Sequence, residues 1–339
     1  MPGTNKTASV ADSGQTAATD SMWQQEQISI SIRMGEIALA ERKFNGYRNR
    51  PNIFSANPTD VSALIDSLNE PLDSPRHILS ALSAPNITPG VSITRKSIIY
   101  VYEQYKRMYV DVSGDYALYQ SSQGKKSLSN LKRKIKKVDK SNIEEQTVRT
   151  FQYPSEVQEF IDIAKPISAT SYQELLLGTV FRTDQQWVDE LKTLAEQDRF
   201  RGYVLYAEDK PVAYNYCPIY GDGVMLYDLS GYIPEYQRYS PGTVLQARII
   251  ELGFSDRSVK IYDLCQGEGR HKKQFATGSI DCCSAYIFPN RPGYRFFVTL
   301  HYAADNCTGF VASVLDRFNL KDKIKGIIRH RHSLQTNSH

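Results

Sequence analysis

No apolar stretch in this chain approaches the ~20 residues that a bilayer-spanning helix needs, and the mean hydropathy is −0.44. A helical integral membrane protein is therefore excluded. Cysteine is scarce and unpaired in pattern: Cys217, Cys265, Cys282, Cys283 and Cys307 make an odd set of five with no Cys-x-x-Cys. That excludes a disulfide framework and a zinc ribbon, and a reducing cytoplasm is the expected compartment. The opening MPGTNKTASVADSGQTAATDS has no apolar run of the kind a secretory signal carries, so none is expected. A Gly-x-Ser-x-Gly elbow is missing, and no distinctive motif surrounds Cys265, so nothing points to a covalent nucleophile. Charge of one sign is also lacking. Lys and Arg number 41 against 37 acids, a balance that does not by itself argue for nucleic acid.

What is present is an ordinary globular composition, 41% hydrophobic and 23% charged, over 339 residues, a length that suits about two domains. Tyrosine is abundant, at 22 residues, which predicts much β structure and cavities with polar rims.

Residues 1–22 are small and polar and read as a flexible tail. Ile28, Ile30 and Ile32 alternate as a strand does, and Val61, Leu64, Ile65 and Leu68 share a helix face after Asn57-Pro58-Thr59-Asp60. Prolines 71, 75, 85 and 89 predict loop with one short helix near His77–Leu82. Ser97–Tyr102 and Tyr109–Val112 read as strands. Residues 125–140 carry eight Lys or Arg against Asp139 alone, with Leu128, Leu131, Ile135 and Val138 at helical spacing. This basic helix reads either as a solvated face or as a contact for an anionic substrate. No helix-turn-helix or finger accompanies it, so sequence-specific nucleic-acid reading is not expected.

From 202 to 300 the pattern is sharper. Gly202–Ala207, Val212–Ile219 and Val224–Leu229 are three strands separated by Glu208-Asp209-Lys210 and Gly221-Asp222-Gly223, an antiparallel meander. A helix opens at Ser240-Pro241-Gly242-Thr243 and runs to about Gly253. Ser240 suits an N-cap and Pro241 the first helical position. Val259–Leu264 is a strand, Arg270–Phe275 a short helix, Cys282–Phe288 and Tyr294–Leu300 two strands, and Ala303–Leu320 a last helix.

Two places could carry chemistry. The helix start at Ser240 offers free N–H groups and a partial positive charge. Gly242 allows close approach to the backbone, and Gln237 and Arg238 stand ready as extra donors. The same tripeptide also reads as a plain helix start. The segment Asp263–Lys273, DLCQGEGRHKK, brings one His, two carboxylates and three cations behind a strand, as general acid–base chemistry on an anionic substrate requires. It also reads as a solvated loop. His271 lacks a second spaced ligand beside Asp263 and Glu268, so no metal is expected.

The order strand, strand, helix opened by an Arg/Gln-x-x-Pro-Gly-Thr turn, strand, short helix, strand, strand resembles the GNAT acyltransferase superfamily. More closely it resembles the CelD-like branch related to the Fem peptidyl transferases. The resemblance rests on Gly202–Tyr214, Tyr239-Ser-Pro-Gly-Thr-Val-Leu245, Asp263-Leu-Cys-Gln-Gly267 with His271-Lys272, and the basic helix Leu128–Lys137. It covers roughly residues 95–290. Pro241 stands where the superfamily usually has the first Gly of its turn, and His271 where the branch tends to carry Tyr. The resemblance implies an α+β fold: a mixed, mainly antiparallel sheet flanked by helices, with a second, degenerate GNAT-like half on the N-terminal side. The implied organisation is a tail at 1–22, an N-terminal half at 23–165, an acyl-CoA-binding domain at 166–320 and a basic tail at 321–339. It implies acetyl-CoA or another acyl-CoA as co-substrate, held by Gln237, Arg238, Ser240, Gly242, Thr243 and Val244. Asp263, Glu268 and His271 are the implied acid–base residues. Lys272 and Tyr172 are the implied contacts to a small-molecule acceptor, anionic or sugar-linked. Two other functions remain open on this sequence: an aminoacyl-tRNA-dependent transferase of the Fem type, and a non-catalytic binding protein on the same fold.

Overall fold

The computed structural model describes residues 23–34, 37–49, 53–54, 72–81, 88–124, 129, 147–170, 181–207, 209–221, 223–266 and 269–317. The helix expected at 61–68, the basic helix at 125–140, Tyr172 and Glu268 lie outside the described residues, as does the segment after 317. The strands are β1 (Trp23–Met34), β2 (Ile37–Asn49), β3 (Arg76–Ala81), β4 (Gly90–Ile93), β5 (Ser97–Asp111), β6 (Val148–Phe151), β7 (Gly202–Ala207), β8 (Lys210–Tyr216), β9 (Ile219–Tyr220), β10 (Val224–Leu226), β11 (Leu229–Tyr232), β12 (Ile261–Gln266) and β13 (Gly278–Pro289). The α-helices are α1 (Tyr116–Ser122), α2 (Val157–Ala169), α3 (Gln185–Glu196), α4 (Pro241–Gly253), α5 (Arg270–Phe275) and α6 (Pro292–Arg317). The fold is α+β, with mainly antiparallel pairing and flanking helices, as the resemblance implies.

Contacts divide the chain into two compact units, residues 1–53, 58–104 and 282–339 in one and residues 54–57 and 105–281 in the other. This differs from a boundary near 165. The second half of β5 pairs with β12, Asp111 opposite Ile261 and Val110 opposite Tyr262, so residues far apart in sequence share one unit. β5 itself is one continuous strand where two short ones are expected. Exposed Gln104 and Lys106 alternate with half-buried neighbours across the gap, as on a strand with one covered face.

In the first unit β1 and β2 form an antiparallel hairpin, with a register shift at Ile32/Arg33, and β2 pairs parallel with β3. Ile28, Ile30 and Ile32 are buried with Phe44, Ile98 and Phe288, the alternation read from sequence. Two elements differ from expectation. Residues 76–81 are a strand, not a helix, because pairing to β2 and β13 supplies its backbone partners and His77 stacks on Tyr286 at 4.5 Å. Residues 294–300 are the start of α6, not a strand. Pro292 suits the first turn, and Phe297, Val298 and His301 are buried while Phe296 and Leu300 are exposed, which is a helical period.

In the second unit a four-stranded antiparallel sheet runs in the order β11-β8-β7-β6. Its faces alternate along β7. Val204 packs with Phe151, Phe160 and Trp187 of the α2 and α3 side, and Tyr203, Leu205 and Ala207 pack with Val244, Leu245 and Ile249 of the α4 side. Gly202 lets α2 approach, since a Cβ there would lie 2.6 Å from the Phe160 ring. α3 is capped by Asp184, whose carboxylate accepts the Trp187 N–H at 3.1 Å.

Candidate active site

The strand expected at 224–229 is two short strands that part. β10 pairs parallel with β12, Val224 opposite Ile261, while β11 pairs antiparallel with β8, Leu229 opposite Tyr216. The switch falls on adjacent residues. The Tyr227 N–H donates to the Asp263 carbonyl on β12 at 2.8 Å, and the Asp228 N–H to the Tyr216 carbonyl on β8 at 3.3 Å. Past this point β11 follows β8 and leaves β12. The sequence showed one apolar run because both segments are partly buried, and only pairing separates them.

β11 leads through a 3-10 turn, Pro234–Tyr239, into α4. Ser240 is not an N-cap in the expected sense: it is left-handed, φ 56°, and its side chain makes no capping bond. The turn bends the chain from one helix directly into the next, leaving no extended residue to carry a cap. The Ser240 carbonyl accepts from Thr243 N–H at 3.0 Å and Val244 N–H at 3.1 Å, while its own N–H donates to Gln237. Pro241 has no N–H. Gly242 is therefore the first-turn residue whose N–H is open to a ligand. A Cβ at Gly242 would have only Tyr232 near, at 3.8 Å.

These elements enclose a cleft of about 450 Å³ whose lining includes Tyr214, Tyr227, Tyr232, Gln237, Ser240, Gly242, Thr243 and Gln246. Of the residues implied for the cofactor, Gln237, Ser240, Gly242 and Thr243 line it. Arg238 is exposed and lies 4.6 Å over the Tyr239 ring, and Val244 is buried in the core. The tyrosine-rich wall matches the polar-rimmed cavity that the composition suggests. Sequence reasoning passed over Gln246, since a Gln inside an amphipathic helix has no signature of its own.

The Asp263–Lys273 segment is built differently from a solvated loop. Asp263 is 1% exposed. Its Oδ2 accepts from Arg107 Nε and Nη2, each at 2.6 Å, and its Oδ1 accepts the Cys265 N–H at 2.8 Å. The Asp263 carboxylate is thus committed to an ion pair and a turn. Arg107 was missed from sequence because it sits on β5, 156 residues away, and only antiparallel pairing of β5 with β12 brings it here. Burial works against its charge, but the Asp263 carboxylate holds the guanidinium protonated more firmly than usual. Cys265 is left-handed, φ 59°, and burial, with the Asp263 charge, pushes its thiol up to about 12, which disfavours a thiolate nucleophile. Lys272 is buried and donates to the carbonyls of Gln266 at 2.5 Å and Cys265 at 3.4 Å. Burial lowers its pKa. α5, which carries His271, forms at the predicted bounds. Cys282 and Cys283 are buried, as expected of core residues.

Residues 125–273 match the family model described as acetyltransferase (GNAT) domain, and these residues fall within the span 105–281 of the second unit. Over those residues the chain is similar to a GNAT acetyltransferase domain. No curated protein matches the sequence. Among solved structures, FemX is 10% identical over 84% of this chain and 93% of its own, with a TM-score of 0.48. A conserved protein of unknown function from Bacteroides thetaiotaomicron is 9% identical over 81% and 88%, TM-score 0.44. The aminoglycoside N-acetyltransferase AAC(6')-Iy, in complex with CoA, is 11% identical over 33% and 70%, TM-score 0.24.

Proposed function

We propose that this protein transfers an acyl group from acetyl-CoA or another acyl-CoA to an amine or hydroxyl of a small-molecule acceptor, by direct attack on the thioester. The parting of β10 and β11 beside the start of α4 carries this reading. Where β11 follows β8 away from β12, the cleft along β8 and β11 has Gly242, at the positive end of α4, in its lining. Gln237, Ser240 and Thr243 add polar atoms around the same point. The pyrophosphate of an acyl-CoA fits such a place, and the tyrosine-lined cleft suits its arm.

As the acceptor nitrogen or oxygen attacks the thioester carbon, it loses a proton to a base, the C–S bond breaks and the thiolate is protonated. The chain must position the two partners, which is the larger part of such catalysis, and take one proton. Glu268 and His271 are the proposed base and acid. Asp263 takes no part in the proton transfer in this reading, since its oxygens are held by Arg107 and the Cys265 N–H. Lys272, anchored on the Gln266 and Cys265 carbonyls, ties α5 to the end of β12.

Gly242→Asp is the direct test. A Cβ there meets only Tyr232, at 3.8 Å, so the variant is expected to fold, with its carboxylate where the pyrophosphate would approach. Calorimetry is expected to show acetyl-CoA binding weakened at least tenfold. Unchanged affinity in a folded variant would place the co-substrate elsewhere.

A further inference from the structure

Gln246 is 1% exposed, lines the cleft, and has a side-chain Nε2 with no hydrogen-bond partner among the described residues. A buried donor without an acceptor costs stability, and native structures seldom keep one without a use. Its place on α4 suggests the use. Gly242 and Gln246 are four residues apart, so they lie on the same helix face, one turn from each other, and both face the cleft. A ligand anchored at the Gly242 N–H by an anionic group therefore passes Gln246 about 6 Å further along the helix axis. The last torsion of a glutamine side chain turns broadly, so the amide can meet an oxygen that enters the cleft. Leucine or methionine would fill the same space in a helix that is otherwise packed with Val244, Leu245, Ile249 and Ile250, at no polar cost.

We propose that Gln246 is a ligand-contacting residue whose Nε2 donates to a carbonyl oxygen on the amide-bearing arm of the acyl-CoA, beyond the pyrophosphate. This rests on the acyl-CoA reading of the cleft. The donor sets specificity for the arm and leaves the nucleotide end to the helix start. Without ligand it is a liability to the fold, and binding relieves it.

The test compares wild type, Gln246→Leu and Gln246→Met by thermal melting without ligand and by calorimetry with acetyl-CoA and with ADP, which has the pyrophosphate but not the arm. Both variants are expected to melt at or above the wild-type temperature. Acetyl-CoA affinity is expected to fall about 3- to 10-fold, the size of one net hydrogen bond, and ADP affinity to stay unchanged. Unchanged acetyl-CoA affinity in the folded variants overturns the proposal, as does an equal loss for ADP. Lower melting temperatures with unchanged affinity overturn it too and assign Gln246 to the core. If wild type itself binds no acetyl-CoA, the acyl-CoA reading fails first, a result distinct from any of these.

Discussion

At the scale of single residues, Asp263 and Arg107 hold the fold of their unit, each as the partner of the other in a buried pair. Arg107→Met removes one partner of a buried pair and leaves the Asp263 carboxylate without its cation, and chemical denaturation is expected to show a loss of about 3–5 kcal/mol. Glu268→Gln and His271→Ala, in contrast, are expected to leave stability near wild type and cut single-turnover transfer by ~10²–10⁴, the usual worth of a positioned acid or base. A second buried cation shows how pH acts on this unit. Arg201, 3% exposed, is paired with Asp256 at 2.9 Å, and Ser258 also donates to that carboxylate. Burial works to raise the Asp256 pKa, but the bonds from Arg201 and Ser258 outweigh it and the net shift is downward. A carboxylate whose folded pKa is depressed stabilises above its unfolded value, about 3.9, and that contribution is lost as pH falls through the lower folded value. Asp256→Asn is therefore expected to cost stability at pH 7 and to flatten the acid limb of a stability–pH curve below about pH 4.

At the scale of elements, close approach and pairing decide more than propensity. α2 packs on the sheet through Phe160, whose ring carbons lie 2.6–2.9 Å from where a Cβ on Gly202 would stand. Gly202→Ala overpacks this contact, and the expected loss, read from urea melts, is about 1–3 kcal/mol. The elements that were legible in sequence are those whose own period decides them. β7 and α5 form at the bounds expected, and α4 ends where Gly253 suggests. Those that were not legible are settled by neighbours. Residues 76–81 become a strand because two strands are there to pair with, and β10 and β11 part because β12 and β8 take consecutive amides.

At the scale of the whole molecule, ligand and fold are linked by mass action. If acetyl-CoA binds only the native state, a concentration about 100 times its Kd adds about 2.7 kcal/mol to stability. Differential scanning fluorimetry is expected to show a rise in Tm that grows with acetyl-CoA concentration and is smaller for Gly242→Asp at equal concentration. A flat response in wild type would remove acyl-CoA as the co-substrate. Binding also bears on the division of labour within the chain. The cleft and the Arg107–Asp263 pair are each built within the unit of residues 105–281, so the melting response reports on that unit.

The amino-acid sequence alone determined the paired strands from 202, the helix opened by Pro241-Gly242 and the short helix at 270–275. Each depends on local terms: period, turn residues and the backbone freedom of glycine. The tertiary structure decided which of these residues meet. It assigned the Asp263 carboxylate to Arg107 and turned Ser240 left-handed. It also set an unpartnered Gln246 into the wall of the cleft. The reason is physical: partners 156 residues apart, as Arg107 and Asp263 are, come together only through strand pairing, and no local pattern encodes the register that joins them.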